Sequence, residues 1–388
     1  MATDASNIVE IIKRVIKPAE APVGLHEPLF KGNEWDYVKE CLDTGWVSSV
    51  GSYVDLFEER LAEACGVTYA VPTVNGTAAL HIALMLAGVG SGDEVLMPSL
   101  TFVATANAVA YCGAVPHFVE AERETLGIDA GKLEEYLGDI TERRDDVLYN
   151  RITGRRIAAL VPVHIFGLPA DMDALRKVAA VFELPIVADA AECLGSEYMG
   201  KPASSYGLLS CTSFNGNKII TTGGGGAILT DDADLAALAK HLTTTAKVAH
   251  KWEYVHDAVG YNYRMPNINA ALGCAQLEKL DELLAAKRKL ALAYKTAFEG
   301  SSDFEFIAEP EGSRSNYWLN AIYIKSEMHR DALLDEVNEA GLMCRPIWKL
   351  MHSLDMYKDC PRMDLSVSED LEARIINLPS SAYLGAGK

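Results

Sequence analysis

The sequence predicts an α/β protein: a large domain with a mostly parallel central sheet sandwiched by helices, then a smaller α+β C-terminal domain. Three observations lead there. From Glu34 to about Thr230, short apolar runs alternate with helical segments, as strands buried on both faces and joined by helical crossovers do. After Thr230 the chain turns to Ala, Leu, Lys and Glu at helical spacing. The length of 388 residues exceeds one ordinary domain of roughly 150.

Taken in order, Ile8, Val9, Ile11, Ile12, Val15 and Ile16 outline a short amphipathic helix in an N-terminal arm, residues 1–30. Asp4, Glu10 and Lys13 interrupt any secretory apolar core there. Residues 31–280 form the large domain. Tyr53–Cys65 is helical, with Val54, Phe57 and Leu61 on one face. Tyr69–Val74 reads as a strand, Asn75-Gly76-Thr77 as a junction, and the stretch from Ala78 to Leu86 as a helix. Strands follow over 95–99, 115–119, 157–166 and 185–188, with helices over 102–112 and 171–182. Residues 233–242 and the long stretch 267–298 are helical. The small domain, 281–388, holds strands at 318–324 and 374–378 and a helix at 331–340.

Composition bounds the function. Lys+Arg is 35 against Asp+Glu 54, a net charge of −19, so the chain lacks the basic footprint of a nucleic-acid binder. No apolar run reaches the ~18 residues of a membrane helix, and a cytoplasmic location is expected. The eight cysteines form no C-x-x-C pair and the nine histidines show no metal spacing. Free thiols and no metal site are expected.

In open α/β sheets, ligands bind beyond the carboxyl ends of strands. Three places qualify. Gly76 and Thr77 sit where a strand becomes a helix, and unpaired N–H groups there can receive a phosphate. Asp189 follows the run Pro185-Ile-Val-Ala, either as a helix cap or as a ligand contact. Lys218 lies in the polar loop after Cys211-Thr-Ser-Phe and shortly before four glycines. Singly each has an ordinary structural explanation. Together they supply what pyridoxal phosphate requires: a phosphate seat, an acid for the pyridine nitrogen and an amine for the aldehyde.

The ordered series Gly-Trp46-Val-Ser-Ser49, Asn75-Gly-Thr-Ala-Ala-Leu80, Thr101-Phe102-Val-Ala-Thr, Val-His164-Ile-Phe-Gly167, Asp189-Ala-Ala-Glu192, Ser213-Phe-Asn-Gly-Asn-Lys218 and Gly260-Tyr-Asn262-Tyr-Arg264 resembles the DegT/StrS-type sugar aminotransferases. The resemblance runs from about Leu25 to Ser381. It implies a fold-type I enzyme, pyridoxal phosphate alternating with pyridoxamine phosphate, L-glutamate as amino donor and a nucleotide-linked keto sugar as acceptor. It also implies a homodimer with shared active sites and a place in polysaccharide or O-antigen biosynthesis. The stretch from Ser213 through Gly226 is similar to the branch that aminates UDP-linked 4-keto-6-deoxy-N-acetylhexosamines.

By this resemblance Lys218 is the Schiff-base lysine, where a related dehydratase branch carries His. Asp189 pairs with the ring nitrogen, and Glu192 stands where many members carry a Gln near the phenolic oxygen. Gly76, Thr77 and Ser213 seat the phosphate, Phe102 stacks on the ring and Ala191 packs beneath it. Asn262 reaches the phosphate from the neighbouring subunit, and Arg264 contacts the sugar nucleotide. His164, Trp252 and His352 are further candidates for substrate contact. Two other readings stay open: a sugar dehydratase of the same family, and a non-enzymatic regulatory protein that keeps the fold.

Overall fold

In the computed structural model, which describes residues 4–17, 22–325 and 329–386, seven strands form one central sheet. They are β1 (Tyr69–Thr73), β2 (Glu94–Pro98), β3 (Val115–Val119), β4 (Ile157–Leu160), β5 (Val187–Asp189), β6 (Leu209–Ser213) and β7 (Gly226–Thr230). Two ladders, β3-β2-β4 and β1-β7-β6-β5, are continued into each other by parallel bridges Leu160–Ile186 and Val163–Asp189. Every strand but β7 runs the same way; β7 is antiparallel to both β6 and β1.

The strands are continuous apolar runs because helices cover both faces. Helix Gly76–Leu86 packs against β6, β7 and helix Val103–Tyr111, so it is buried nearly all round. Helices Ala130–Ile140 and Met172–Phe182 pack on the other side with Leu96, Leu160 and Ile186. Asn75, Asp129, Asp171 and Asp232 each cap a helix by accepting a first-turn N–H.

The C-terminal part builds an antiparallel sheet of Phe304–Phe306, Asn320–Ile324, Ile375–Leu378 and Arg345–Pro346. The N-terminal helix Asp4–Ile16 packs against helices Leu280–Phe298 and Arg330–Glu339. Ile8 and Ile12 are fully buried with Leu290, Tyr294, Ile322 and Ile376. Each such aliphatic side chain contributes about 1.5–3 kcal/mol, enough to hold the arm onto this layer.

Two expectations needed correction. The single helix over 267–298 is two, Asn267–Leu277 and Leu280–Phe298. No Pro or Gly marks the break. Tertiary contacts make it: Glu278 accepts hydrogen bonds from Asn33, Tyr37 and Arg60, and buried Gln276 donates to Leu29 O and Glu34. The strand over 157–166 stops at Leu160, and a 3₁₀ turn occupies Ile165–Gly167 with Phe166 at φ 58°. Gly167, at φ 90°, is forced: a Cβ there would lie 1.8 Å from Asn316 Oδ1.

All eight cysteines are free thiols, six of them buried. Among the described residues no helix is long and apolar enough to cross a membrane, and no group of His, Cys, Asp and Glu is arranged to hold a metal ion.

Candidate active site

The loops after β1, β2, β5 and β6 open at the same edge of the sheet. They enclose a cavity of about 290 Å³ lined by Asn75, Gly76, Thr77, Thr101, Phe102, Asp189, Ala191, Glu192, Ser213 and Lys218, with Trp318 and Trp348 from the C-terminal part. Residues far apart in sequence meet here because parallel strands present all their carboxyl ends on one side.

The anion seat is made by the start of helix Gly76–Leu86. Asn75 Oδ1 accepts the Ala78 N–H at 2.8 Å, which turns the chain and leaves the first-turn N–H groups facing the cavity mouth. A Cβ on Gly76 would stand 3.0 Å from Ser213 Cβ and 3.3 Å from its Oγ, so the glycine keeps a cradle open between the helix end and a hydroxyl. The glycine run after Lys218 serves the same junction. A Cβ on Gly226 would come within 2.5 Å of Asn75 C and Gly76 N, so β7 can lie this close only as glycine. Such a seat suits a phosphate group.

Asp189 ends β5 and is 6% exposed. Its Oδ2 accepts from Thr105 Oγ1 at 2.7 Å, and its Oδ1 accepts the Ala191 N–H at 3.1 Å. Burial raises its pKa, opposed by these two hydrogen bonds and by the Lys218 charge. A buried carboxylate with so few compensating donors is stabilised by a cation placed against it, and a protonated pyridine nitrogen is one. The donor set therefore fits pyridoxal phosphate at both ends.

Lys218 Nζ lies 3.1 Å from Glu192 Oε1 and 3.7 Å from the centroid of the Trp318 ring. Glu192 Oε2 accepts the Phe166 N–H at 2.8 Å, made available by the turn at Ile165–Gly167. Burial raises the Glu192 pKa and Lys218 opposes it. Phe102 is half exposed, at the start of helix Val103–Tyr111, and meets Trp348 edge-on at 6.1 Å. Trp348 packs in turn on Phe166 at 5.3 Å.

The other candidates lie outside this lining. His164 is fully buried; its Nδ1 accepts the Ala170 N–H, and burial lowers its pKa to about 4. It is a neutral imidazole bracing the turn after β4. Asn262 is exposed, on a loop bridged to Thr244. Arg264 is 5% exposed and pairs with Glu58 of its own chain. Trp252 is exposed beside His250. His352 Nδ1 lies 2.8 Å from Ser99 Oγ, at the end of β2. Sequence reasoning missed Thr105, Trp318 and Trp348. Thr105 closes the Thr101–Thr105 motif, but nothing in its spacing ties it to Asp189, and the two tryptophans carry no spacing signal either.

The family model described as the DegT/DnrJ/EryC1/StrS aminotransferase family matches residues 29–387. The GDP-perosamine synthase of Caulobacter vibrioides is 39% identical over 369 residues, covering 93% of this chain and 94% of that protein. The GDP-perosamine synthase of Escherichia coli O157:H7 is 36% identical, covering 92% and 93%. Among solved structures, a DegT DnrJ EryC1 StrS aminotransferase from Brucella abortus is similar with a TM-score of 0.82 at 29% identity, covering 90% of this chain and 91% of that one. Helicobacter pylori PseC, an aminotransferase of pseudoaminic acid biosynthesis, gives a TM-score of 0.84 at 25% identity, covering 93% and 94%. This chain belongs to the DegT/DnrJ/EryC1/StrS aminotransferase family and is a pyridoxal-phosphate-dependent sugar aminotransferase.

Proposed function

We propose that the enzyme transfers the amino group of L-glutamate to C4 of a nucleotide-linked 4-keto-deoxysugar, with Lys218 as its catalytic residue. The observation that carries this reading is one cavity containing the Gly76–Thr77 anion seat, buried Asp189 and Lys218. The bound cofactor supplies an electron sink that makes the carbon–hydrogen bond next to the transferred nitrogen acidic.

The protein's own groups do the rest. Gly76, Thr77 and Ser213 bind the phosphate and fix the ring's position. Asp189 keeps a proton on the ring nitrogen, and Thr105 and the Ala191 N–H hold its carboxylate in one orientation. Phe102 and Ala191 bound the ring's two faces. Lys218 anchors the cofactor at rest and, once released, takes and returns the proton at the substrate carbon through Nζ. Glu192 holds that amine at 3.1 Å. Lysine at this position, rather than His, supports transamination over the dehydratase alternative. The intact set of Lys218, Asp189 and the phosphate seat supports an enzyme over a regulatory protein. Asn262, exposed on its loop, is proposed to complete the neighbour's phosphate seat in a homodimer. We retain residues 31–280 as the cofactor domain and 281–388 as the small domain, with residues 1–30 as an arm.

For the nucleotide, the Ser213–Gly226 stretch supports a UDP-linked N-acetylated sugar, and a surface-polysaccharide pathway follows from it. A second reading, a GDP-linked sugar, is favoured by the relatives named GDP-perosamine synthases at 36–39% identity. UDP-, GDP- and TDP-linked 4-keto sugars, each incubated with glutamate and read by product mass, decide between them. A glutamate-dependent exchange of the keto oxygen for an amine is the expected result. Loss of water without nitrogen gain would make it a dehydratase.

A further inference from the structure

Trp318 has no part in the reading above, yet it makes the closest aromatic contact with Lys218. Its ring, 4% exposed as a residue, carries Lys218 Nζ 3.7 Å from the centroid. The ring is buried and hydrogen-bonded, and the residue's main chain is held on both sides. Its Nε1–H donates to Asn217 O at 2.6 Å, in Lys218's own loop. Its main-chain N–H donates to Asn316 Oδ1 at 2.7 Å. Its carbonyl accepts from Lys287 Nζ at 3.1 Å, and this fully buried lysine also donates to Ser380 O at 2.5 Å. Asn316 Nδ2 donates to Glu192 O and Leu194 O, at 2.8 and 2.9 Å. Trp318 thus ties the Lys218 loop through its indole to Asn316 beside the Glu192 turn and to helix Leu280–Phe298 through its main chain.

We propose that Trp318 is a positioning residue for Lys218, holding its ammonium against the ring face whenever the amine is not engaged with the cofactor. The proposal rests on the reading of Lys218 given above. Lysine has four rotatable side-chain bonds, and a single carboxylate fixes only one direction of its amine. The ring face adds a second contact, from a direction that the carboxylate leaves open. It differs from Glu192 in one respect that matters for transamination: an indole face has no lone pair and cannot accept the proton. It orients the amine without competing for the proton the amine must move. The charged and titratable groups around Lys218 are Glu192 and Asp189 on the large domain, His26 on the N-terminal arm and Lys287 on helix Leu280–Phe298. Burial disfavours the charged forms of His26 and Lys287, so neither sets a full like charge against the Lys218 ammonium.

The test compares the parent with Trp318→Leu and Trp318→Phe, each stripped of cofactor. Each is labelled with limiting acetic anhydride, and the Lys218 and Lys287 peptides are quantified by mass spectrometry. Only the neutral amine reacts. Loss of the ring contact should raise Lys218 labelling about threefold, while labelling of the buried Lys287, held by the Trp318 and Ser380 carbonyls, stays unchanged. Trp318→Phe should fall between parent and Trp318→Leu. In the loaded enzyme, Trp318→Leu should lower kcat with KM for glutamate within about twofold, and Trp318→Phe should recover most of it. If Trp318→Leu does not fold, Trp318→Met, whose flexible unbranched chain adapts to the space left by the ring without a π-face, takes its place. Lys218 labelling that is unchanged, that rises together with Lys287 labelling as simple opening would cause, or that is no closer to the parent in Trp318→Phe than in Trp318→Leu overturns the proposal. Borohydride reduction of the loaded parent reports separately on the underlying reading: cofactor fixed to a peptide other than that of Lys218 would overturn the assignment of Lys218 itself.

Discussion

Replacing Asp189 by Asn isolates a charge. The two side chains have the same shape, and the site can satisfy the amide. Its oxygen can accept the Ala191 N–H, and its NH₂ can donate to Thr105 Oγ1, which then donates to Thr101 Oγ1 at the 3.0 Å now separating the two hydroxyls. What is lost is the negative charge that keeps a proton on the ring nitrogen. A neutral ring is a poorer electron sink, and a loss of at least ~100-fold in turnover is expected, about 2.7 kcal/mol of transition-state stabilisation. Stability of the cofactor-free protein should move the other way. Burial raises the Asp189 pKa, so the folded chain holds that proton to higher pH than the unfolded chain does. The parent therefore loses stability as pH rises from about 3.9 through the raised folded value, and the full cost persists above it. Asp189→Asn escapes that cost: relative to the parent it should be the more stable near neutral pH, with the advantage disappearing as pH falls towards about 4. The assays are the glutamate half-reaction for turnover and denaturant unfolding across pH for stability. A variant within a few-fold of parent activity would reduce Asp189 to a local hydrogen-bond anchor. One that is destabilised near neutral pH would refute the exchange of donor and acceptor described here.

Three further outcomes are expected. Lys218→Ala should abolish turnover while pyridoxal phosphate is still retained by the anion seat; equilibrium dialysis and product assay check both halves, and complete loss of cofactor counts against separate roles for the two. Gly76→Ala puts a methyl 3.0 Å from Ser213 Cβ in the cradle and should weaken cofactor affinity about tenfold or more, with circular dichroism unchanged. Mixing Lys218→Ala with Asn262→Asp after verified subunit exchange should restore about half the parent activity in the mixed dimers, since an isologous dimer with crossing loops leaves one site free of both lesions; no recovery, while parent–variant dimers stay active, would place Asn262 in its own chain's site.

The alternation of apolar runs and helices announced the large-domain sheet, because strands covered on both faces must be apolar throughout. The isoleucines of the N-terminal helix announced its buried face for the same reason of periodicity. The junction at Gly76, the acid at Asp189 and the amine at Lys218 were readable as separate strand-end groups, since short-range signals of turn and strand mark where such ends fall. Their convergence was readable only through the ordered motifs. What the sequence left silent depends on contacts across long separations. The reversal of β7 carries no local mark: its residues are those of any buried strand, and its direction is set by pairing with β6 and β1. The break after Leu277 is made by Asn33, Tyr37 and Arg60, hundreds of positions away, holding Glu278. Thr105 on Asp189 and Trp318 on Lys218 were likewise decided by the tertiary structure alone, because a hydrogen bond or a ring contact depends on where two side chains meet in space, and neither residue type advertises its partner.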